Sequence, residues 1–258
     1  MIEDLKETNL VVQDNVLINS SYDMTVLQQK LLLILISTIK KTDDRLYKTT
    51  FRVQSLAKIL NTKPEILYRD LPKACKSLVE KVVEIKHPNG DWEMFNIISY
   101  AKYIKHEGKI VLEINDKAKN YLLKLKNLFT SFELYNIINL SSKHSIRIYQ
   151  ILKSFSYRGS VTISIEELKT TLKLPKSYSR FNNLSSKILE PSINDINCNT
   201  DIFVHYNLIK ENRSVVGINF CISQQSRKIR LPNNNSFFNF EERSYDYEFL
   251  EKKLLGWD

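Results

Sequence analysis

The sequence predicts a helix-rich α+β protein built from two tandem winged-helix domains that are related by internal duplication. Residues 145–222 contain an amphipathic helix, a short strand, two helices across a polar turn and a β-hairpin, which is the element order of a winged helix. The same order occurs more faintly in residues 25–114. Five glycines and six prolines in 258 residues argue against an all-β or low-complexity chain.

The first domain begins with a helix of the sequence TVLQQKLLLILISTIKK. Thr25 followed by Gln28 forms a capping-box pattern, and apolar residues recur along the segment at helical spacing. A short strand, KTTFRV, then precedes two helices, SLAKILN and ILYRDLPKACKSLVEK, which are separated by a polar break at residues 62–64. This is helix–turn–helix order. Pro72 lies inside the second helix, so we expect either a kink there or a later start at Asp70.

Strands are expected next. The segments VVEIK and WEMFNIISYAKYI flank an Asn89-Gly90 pair, which is typical of a hairpin turn, and KIVLEI is a further strand. We expect DKAKNYLLKLKNLF to be a helix with an Asp cap, and FELYNIINL to link the two domains.

The second domain repeats the pattern more clearly. The helix SIRIYQILKSF and the strand VTIS lead to Ser164 and Glu167, which can cap the helix IEELKTTLKL. Residues 174–177 form the turn, and the following helix is expected to bend at Pro191. The strands IFVHYNLI and SVVGINFCI flank residues 210–213, the tip of a wing.

The positive charge is concentrated in the second domain. Residues 1–133 carry 21 Lys/Arg against 17 Asp/Glu, residues 134–230 carry 14 against 6, and the polar tail 231–258 carries 3 against 6. The net charges are therefore +4, +8 and −3. A basic block of this kind is expected in a module that binds a polyanion. We therefore divide the chain at these boundaries, into residues 1–133, residues 134–230 and a tail, and expect the polyanion-binding role mainly in residues 134–230.

Cationic and amide side chains form one stripe on each predicted recognition helix. Arg and Lys suit guanine edges or phosphates, and Asn can pair with adenine. The predicted DNA-binding residues are Arg69, Lys73 and Lys76 in the first domain, Lys173, Lys176, Arg180, Asn183 and Lys187 in the second, and Lys210 and Arg213 at the wing tip. A merely solvated helix face is the alternative for each stripe. Arg227, Lys228 and Arg230 form either a phosphate-contacting arm or a solvated linker.

Motifs for catalysis, metals and membranes are missing from the sequence. It contains no GxxxxGK[ST] loop and no His-x-His pair, and its three cysteines form no CxxC motif. No apolar run approaches the roughly 20 residues that a transmembrane helix needs. The polar N-terminus is not a signal peptide. We expect a cytoplasmic, non-enzymatic protein without metal or other cofactor and without a membrane partner.

Three segments carry a resemblance to a known family. The opening NVLINSSYDMTVLQQKLLLILISTI resembles the start of the iteron-binding plasmid replication initiators, in which an Asn-x-Leu-Ile segment precedes a Gln-Lys-Leu-Leu helix. The segment HSIRIYQILKSF is similar to that family's Ser-x-Arg-x-Tyr-x-Leu-Leu helix, and residues 188–222 are similar to its closing helix and wing. The match covers about residues 10–223 and leaves the tail outside.

This resemblance implies a sequence-specific initiator of plasmid replication. Such proteins bind direct repeats in double-stranded origin DNA, exist as homodimers in equilibrium with monomers, and recruit host replication proteins. It also implies that the C-terminal domain, residues 134–230, is the principal reader, and that the N-terminal domain, residues 1–133, serves dimerisation and adds secondary DNA contacts. Arg147 and Tyr149 match the signature helix, but we expect them to be structural because that helix is mainly core. Three alternatives remain open: a winged-helix transcriptional regulator without an initiation role, a nicking enzyme for rolling-circle replication, and a protein–protein scaffold.

Overall fold

The computed structural model describes residues 5–87, 89–126 and 128–226. The described residues belong to one compact unit. The predicted acidic tail, 231–258, and the arm at Arg227, Lys228 and Arg230 lie outside the described residues. Within the described part of the chain, no helix is both long and apolar enough to cross a membrane.

The first half of the described chain contains four helices and six strands. In chain order they are β1 (Leu10–Asp14), α1 (Asn15–Ile18), α2 (Val26–Ile36), β2 (Thr49–Arg52), α3 (Val53–Ile59), α4 (Pro64–Val79), β3 (Val82–Lys86), β4 (Trp92–Asn96), β5 (Ile98–Ile104) and β6 (Lys109–Ile114).

The second half repeats most of that order. Its elements are β7 (Phe129–Glu133), α5 (Leu134–Ile138), α6 (Lys143–Ser154), β8 (Ser160–Ser164), α7 (Ile165–Thr171), α8 (Phe181–Leu184), a π-helical turn (Ser185–Leu189), α9 (Glu190–Asn199), β9 (Ile202–Glu211) and β10 (Ser214–Gln224). Short 3-10 helices occur at Lys105–Glu107, Asp116–Tyr121, Ser156–Arg158 and Lys176–Tyr178.

Sheet topology supports the prediction of two winged helices. The first sheet has the antiparallel order β2-β6-β5 and the second has the order β8-β10-β9, so each sheet joins a short strand to the second strand of a wing. In both halves a strand and a short helix come first, and these two strands, β1 and β7, pair with each other. Since β1 belongs to the first half and β7 to the second, their pairing connects the two halves of the described chain. The limits 1–133 and 134–230 stay a prediction.

Local signals in the sequence are confirmed where side-chain chemistry sets a helix start. Thr25 caps α2 through the Gln28 amide, and the Gln28 side chain accepts a hydrogen bond from the Thr25 amide at 2.9 Å, which completes the capping box. Ser164 accepts a hydrogen bond from the Glu167 amide at 3.1 Å at the start of α7.

One expectation for the segment that follows β6 is wrong. The helix predicted from Asp116 is a 3-10 helix that ends at Tyr121, and Asn115 rather than Asp116 caps it. Lys124 and Leu128 have φ angles of 52° and 54°, which a right-handed helix cannot include. The expected linker FELYNIINL is itself ordered, since it completes β7 and forms α5.

The wing of the first domain is not the hairpin that contains the Asn-Gly turn. The Asn89-Gly90 pair does join two strands, β3 and β4, but they form a separate two-stranded sheet. The strand order assigns the wing to β5 and β6, which meet at Gly108. An Asn-Gly signal predicts a hairpin turn but not the sheet to which the hairpin belongs.

The two prolines in the recognition helices are accommodated in different ways. Helix α4 begins at Pro64 and continues through Pro72, so the later start at Asp70 is wrong. The buried side chains of α4 hold the helix against the core, which overrides the low helical propensity of proline. In the second domain a π-helical turn lies directly before Pro191. This wider turn accommodates a ring that would otherwise clash with the preceding turn.

Candidate nucleic-acid interface

The second recognition helix is a continuous helical segment from Phe181 to Asn199. Leu184, Ile188 and Ile196 are buried in the core, so the segment presents its polar face outward. Arg180 precedes the first turn, and no side chain caps that turn. The free amides and the positive end of the helix dipole therefore favour an anion at this end.

The predicted cations of this helix and its turn are all exposed. Lys173 adopts a left-handed conformation directly after α7, Lys176 begins the 3-10 turn, and Arg180 and Lys187 extend the row. Asn183 differs from them, because it is only half-exposed and donates its Nδ2 to the Ser177 carbonyl at 3.3 Å. The structure thus places a row of cations along the turn and the first half of the helix, with Asn183 turned back towards the turn.

These cations have no ion-pair partner among the described residues. The same holds for Lys210 and Arg213, which flank the exposed turn of the β9–β10 wing. By contrast, Lys169 on α7 is bound to Glu166 at 3.0 Å. Unpaired cations are free to bind an incoming anion without first breaking an internal ion pair. We call Lys173, Lys176, Arg180, Lys187, Lys210 and Arg213 the reading surface.

The first domain presents its three predicted residues on one face of α4. Arg69, Lys73 and Lys76 are exposed, and the opposite face of the helix is buried in the core. Arg69, however, forms a bidentate pair with Asp70, with Nε–Oδ1 at 2.7 Å and Nη2–Oδ2 at 2.9 Å. Hydrogen bonding to Arg69 lowers the pKa of the Asp70 carboxyl. Arg69 must therefore exchange this carboxylate for a phosphate or a base before it can bind DNA.

The first wing contains basic side chains that the sequence did not single out as DNA-binding. Lys105 and His106 are exposed at the tip, and Lys109 is bound to Glu107 at 2.5 Å. The signal for this turn is Gly108, which adopts a left-handed conformation with φ 57° between two apolar β segments. A single glycine is a weaker turn signal than the Asn89-Gly90 pair upstream.

The signature helix α6 is structural, as expected. Arg147 is buried and donates its Nη2 to the carbonyls of Ile18 and Ser20 at 2.8 and 2.7 Å, and its Nη1 to the Tyr22 hydroxyl at 2.6 Å. Tyr149 is also buried and hydrogen-bonds Asp201 at 2.9 Å. These side chains join α6 to the segment between α1 and α2 and to the base of the second wing.

A metal ion would need several His, Cys, Asp or Glu side chains close together. Across the described ranges, no cluster of three or more His, Cys, Asp or Glu side chains could hold a metal ion.

Comparison with known proteins identifies the two halves of the chain. Residues 10–153 match the family described as "Initiator Replication protein, WH1", and residues 164–222 match the one described as "Initiator Rep protein, WH2". These matches confirm the predicted family and its two winged-helix domains.

Individual relatives agree with this assignment. A "Replication initiation protein" of Escherichia coli is 29% identical over 198 residues, which cover 73% of this chain and 62% of that protein. The chain thus spans less than two thirds of the length of this relative. The "PI protein" of Escherichia coli is 26% identical over 204 residues, which cover 66% of this chain and 67% of that protein.

A solved structure shares the fold. The crystal structure of the Pi initiator protein in complex with iteron DNA aligns with a TM-score of 0.69 at 21% identity, covering 85% of this chain and 99% of that one. The profile matches together cover well over half of the sequence. The chain therefore belongs to the family of initiator replication proteins with a WH1 and a WH2 domain.

Proposed function

We propose that this protein initiates plasmid replication by binding direct repeats in double-stranded origin DNA. The observation that carries the proposal is the reading surface, whose six exposed cations lie on the second recognition helix, in the turn before it and at the tip of the second wing. Cations without internal partners can neutralise phosphates and release counterions, which provides much of the affinity for DNA. Family membership and the DNA-bound structural relative support the same function.

The residues of the second domain divide into two roles in this proposal. Lys176, Arg180 and Lys187 enter the major groove, where Arg and Lys can reach guanine edges. Lys173 and the wing residues Lys210 and Arg213 bind backbone phosphates and set the register. Asn183 contributes its free Oδ1 atom, or releases Ser177 to offer its amide group to adenine.

The first domain adds secondary contacts and the dimer interface. Lys73, Lys76 and Arg69 bind backbone phosphate, with Arg69 exchanging Asp70 on binding. For the homodimer we propose the exposed face of β4, where Trp92 and Met94 are 67% and 51% accessible. On the neighbouring strand β3, Lys86 and Glu84 stand opposite these two residues in the register. A two-fold axis would pack the apolar residues of one copy against those of the second, beside the Lys86–Glu84 ion pair of 3.6 Å within each chain.

The proposed mechanism is binding without a catalytic step. Docking of both domains strains the DNA near the repeats, and the bound complex recruits host replication proteins in the cytoplasm. The rival function is transcriptional regulation without initiation. A regulator is expected to bind a palindrome as a stable dimer, whereas an initiator is expected to bind direct repeats as a monomer.

Footprinting on the DNA that flanks the gene tests the proposal. We expect protection of regularly spaced direct repeats by the full-length chain. Arg180→Ala and Lys187→Ala should each weaken binding by about 1–3 kcal/mol. Lys119→Ala is the matched control, since this lysine is also exposed but lies in the 3-10 helix that follows β6, away from both recognition helices in the sequence.

The salt dependence of binding separates phosphate contacts from base contacts. Removing a phosphate contact should lower the slope of log K against log salt by about 0.9. Wild-type affinity in both reading-surface variants would exclude the recognition-helix assignment. Protection of a single palindrome would favour the regulator.

A further inference from the structure

The first wing is held against its own helix–turn–helix unit. Its tip residue, Gly108, is buried and donates its amide to the Lys105 carbonyl at 3.2 Å. The Gly108 carbonyl accepts a hydrogen bond of 2.8 Å from the amide of Val53, the first residue of α3. The turn is thereby tied to the start of the first helix of the pair.

The second helix of the pair contacts the same residue through Tyr68. A Cβ atom on residue 108 would lie 2.6 Å from the Tyr68 hydroxyl oxygen and 3.2 Å from its Cε1. Tyr68 therefore fills the space that glycine leaves open, and the φ angle of 57° at Gly108 also favours glycine. Tyr68 is half-buried and directly precedes Arg69 on α4.

Pro72 affects the same turn of α4. Proline has no amide hydrogen, so it cannot form the regular helical bond to the carbonyl of Tyr68, four residues earlier. The backbone around Tyr68 is thus less constrained by the helix itself. The contact between the Tyr68 ring and Gly108 of the wing constrains this turn of α4 instead.

The second wing is built differently. Its strands β9 and β10 are 10 and 11 residues long, and every residue from 207 to 214 is exposed. Its turn contains Asn212 in a left-handed conformation with φ 55°. A long exposed hairpin can adjust to DNA, whereas the short first wing is already fixed.

We propose that Tyr68 is a positioning residue that joins the first wing to α4, so that both bind the DNA backbone as one preformed surface. This surface consists of Lys105 and His106 at the wing tip with Arg69 and Lys73 on α4. A preformed wing loses its conformational entropy during folding rather than on binding DNA, so less binding free energy is lost. The inference rests on the proposed DNA-binding function and assigns to the first domain a phosphate-contacting wing.

Hydrogen exchange combined with DNA binding by the full chain tests this role. Tyr68→Phe keeps the ring against Gly108, and we expect its affinity to stay within about twofold of wild type. Tyr68→Ala should raise amide exchange at residues 105–108 and weaken binding about tenfold, because loop ordering must then occur on binding. Tyr100→Ala is the control, since Tyr100 is 38% exposed on the same sheet, where its ring contacts Lys48.

A double-mutant cycle separates positioning from simple loss of stability. In the wild-type background, Gly108→Ala places a methyl group against the Tyr68 hydroxyl, so that either the Tyr68 ring or the wing must move and their contact is broken. With Tyr68→Ala this collision is absent, and only the backbone cost at residue 108 remains. We therefore expect the loss of affinity caused by Gly108→Ala to be smaller in the Tyr68→Ala background. The slope of log K against log salt should also fall in Tyr68→Ala but not in Tyr68→Phe.

The outcomes of these experiments distinguish the positioning role of Tyr68 from the proposed DNA-binding function. Wild-type exchange at residues 105–108 in Tyr68→Ala, unchanged DNA affinity, or strictly additive effects in the cycle would each overturn the positioning role. Exchange that rises equally throughout the chain would show a general structural role and would overturn it too. If the wild-type chain protects no DNA, the proposed function fails, while the exchange measurement on the free protein still tests the coupling of wing and helix.

Discussion

Replacing Arg147 by methionine should destabilise the whole unit, because this buried cation joins α6 to the segment before α2. The side chain is 2% exposed and donates hydrogen bonds of 2.6–2.8 Å to the Ile18 and Ser20 carbonyls and the Tyr22 hydroxyl. Its guanidinium carbon also lies 3.9 Å from the centroid of the Tyr22 ring. Methionine preserves most of the volume but leaves these three acceptors without their donor.

The expected loss of stability follows from the three acceptors that lose their donor. Each buried acceptor left without a partner costs about 1 kcal/mol or more, which gives about 3 kcal/mol for the three. Removing a buried charge offsets part of this loss, since no carboxylate among the described residues contacts Arg147. We therefore expect the free energy of unfolding to fall by about 2–4 kcal/mol.

Urea unfolding followed by circular dichroism measures this change. The control is Lys143→Met on the same helix, because Lys143 also bridges to the first domain, at 2.7 Å from Asp23, but both partners are exposed. An exposed pair contributes at most about 1 kcal/mol. A loss below 1 kcal/mol in Arg147→Met, or a loss equal to that of Lys143→Met, would refute the structural role of the buried network.

Two further predictions concern titratable groups. Burial, assisted by Lys143, lowers the pKa of His144 from 6.5 to about 4. Between these values the unfolded chain binds a proton that the folded chain does not, so stability should fall by about 1–2 kcal/mol as the pH decreases from 6.5 to 4. His144→Gln should flatten this part of the profile, and an unchanged profile would contradict the assignment. Burial also raises the pKa of Cys75 to about 12, so iodoacetamide should alkylate the exposed Cys198 in the native protein but modify Cys75 only after unfolding. Mass spectrometry measures the alkylation of each thiol, and equal alkylation rates at Cys75 and Cys198 in the native protein would disprove this prediction.

Element types were predictable wherever local chemistry and periodicity agree. The capping box at Thr25, the helix cap at Ser164 and the long strands of the second wing depend on neighbouring residues, and the structure contains all three. The helix expected from Asp116 was wrong because the chain must leave that region to supply β7 for pairing with β1. The partner strand lies more than 110 residues away in the sequence, so no local pattern reveals it.

The candidate site was predictable in its residues but not in their partners. Exposed cations at helical spacing indicated the faces of α4 and of the second recognition helix. Only the folded chain determines that Arg69 is held by Asp70, that Asn183 turns back to Ser177, and that the wing cations of the reading surface remain unpaired. Electrostatic competition of this kind depends on distances of a few ångströms, which sequence spacing does not specify.

The sequence alone determined the family, the two winged-helix domains and the concentration of positive charge in the second of them. The family follows from the resemblance of three segments to known initiators, while the domains and the charge follow from element order, periodicity and composition, each of which is local or additive along the chain. The tertiary structure decided which hairpin is the first wing, how Arg147 joins the two halves, and how Tyr68 fixes the wing at Gly108. Each of these depends on close packing between segments distant in sequence, and packing selects among hairpins and side chains that local patterns leave equivalent.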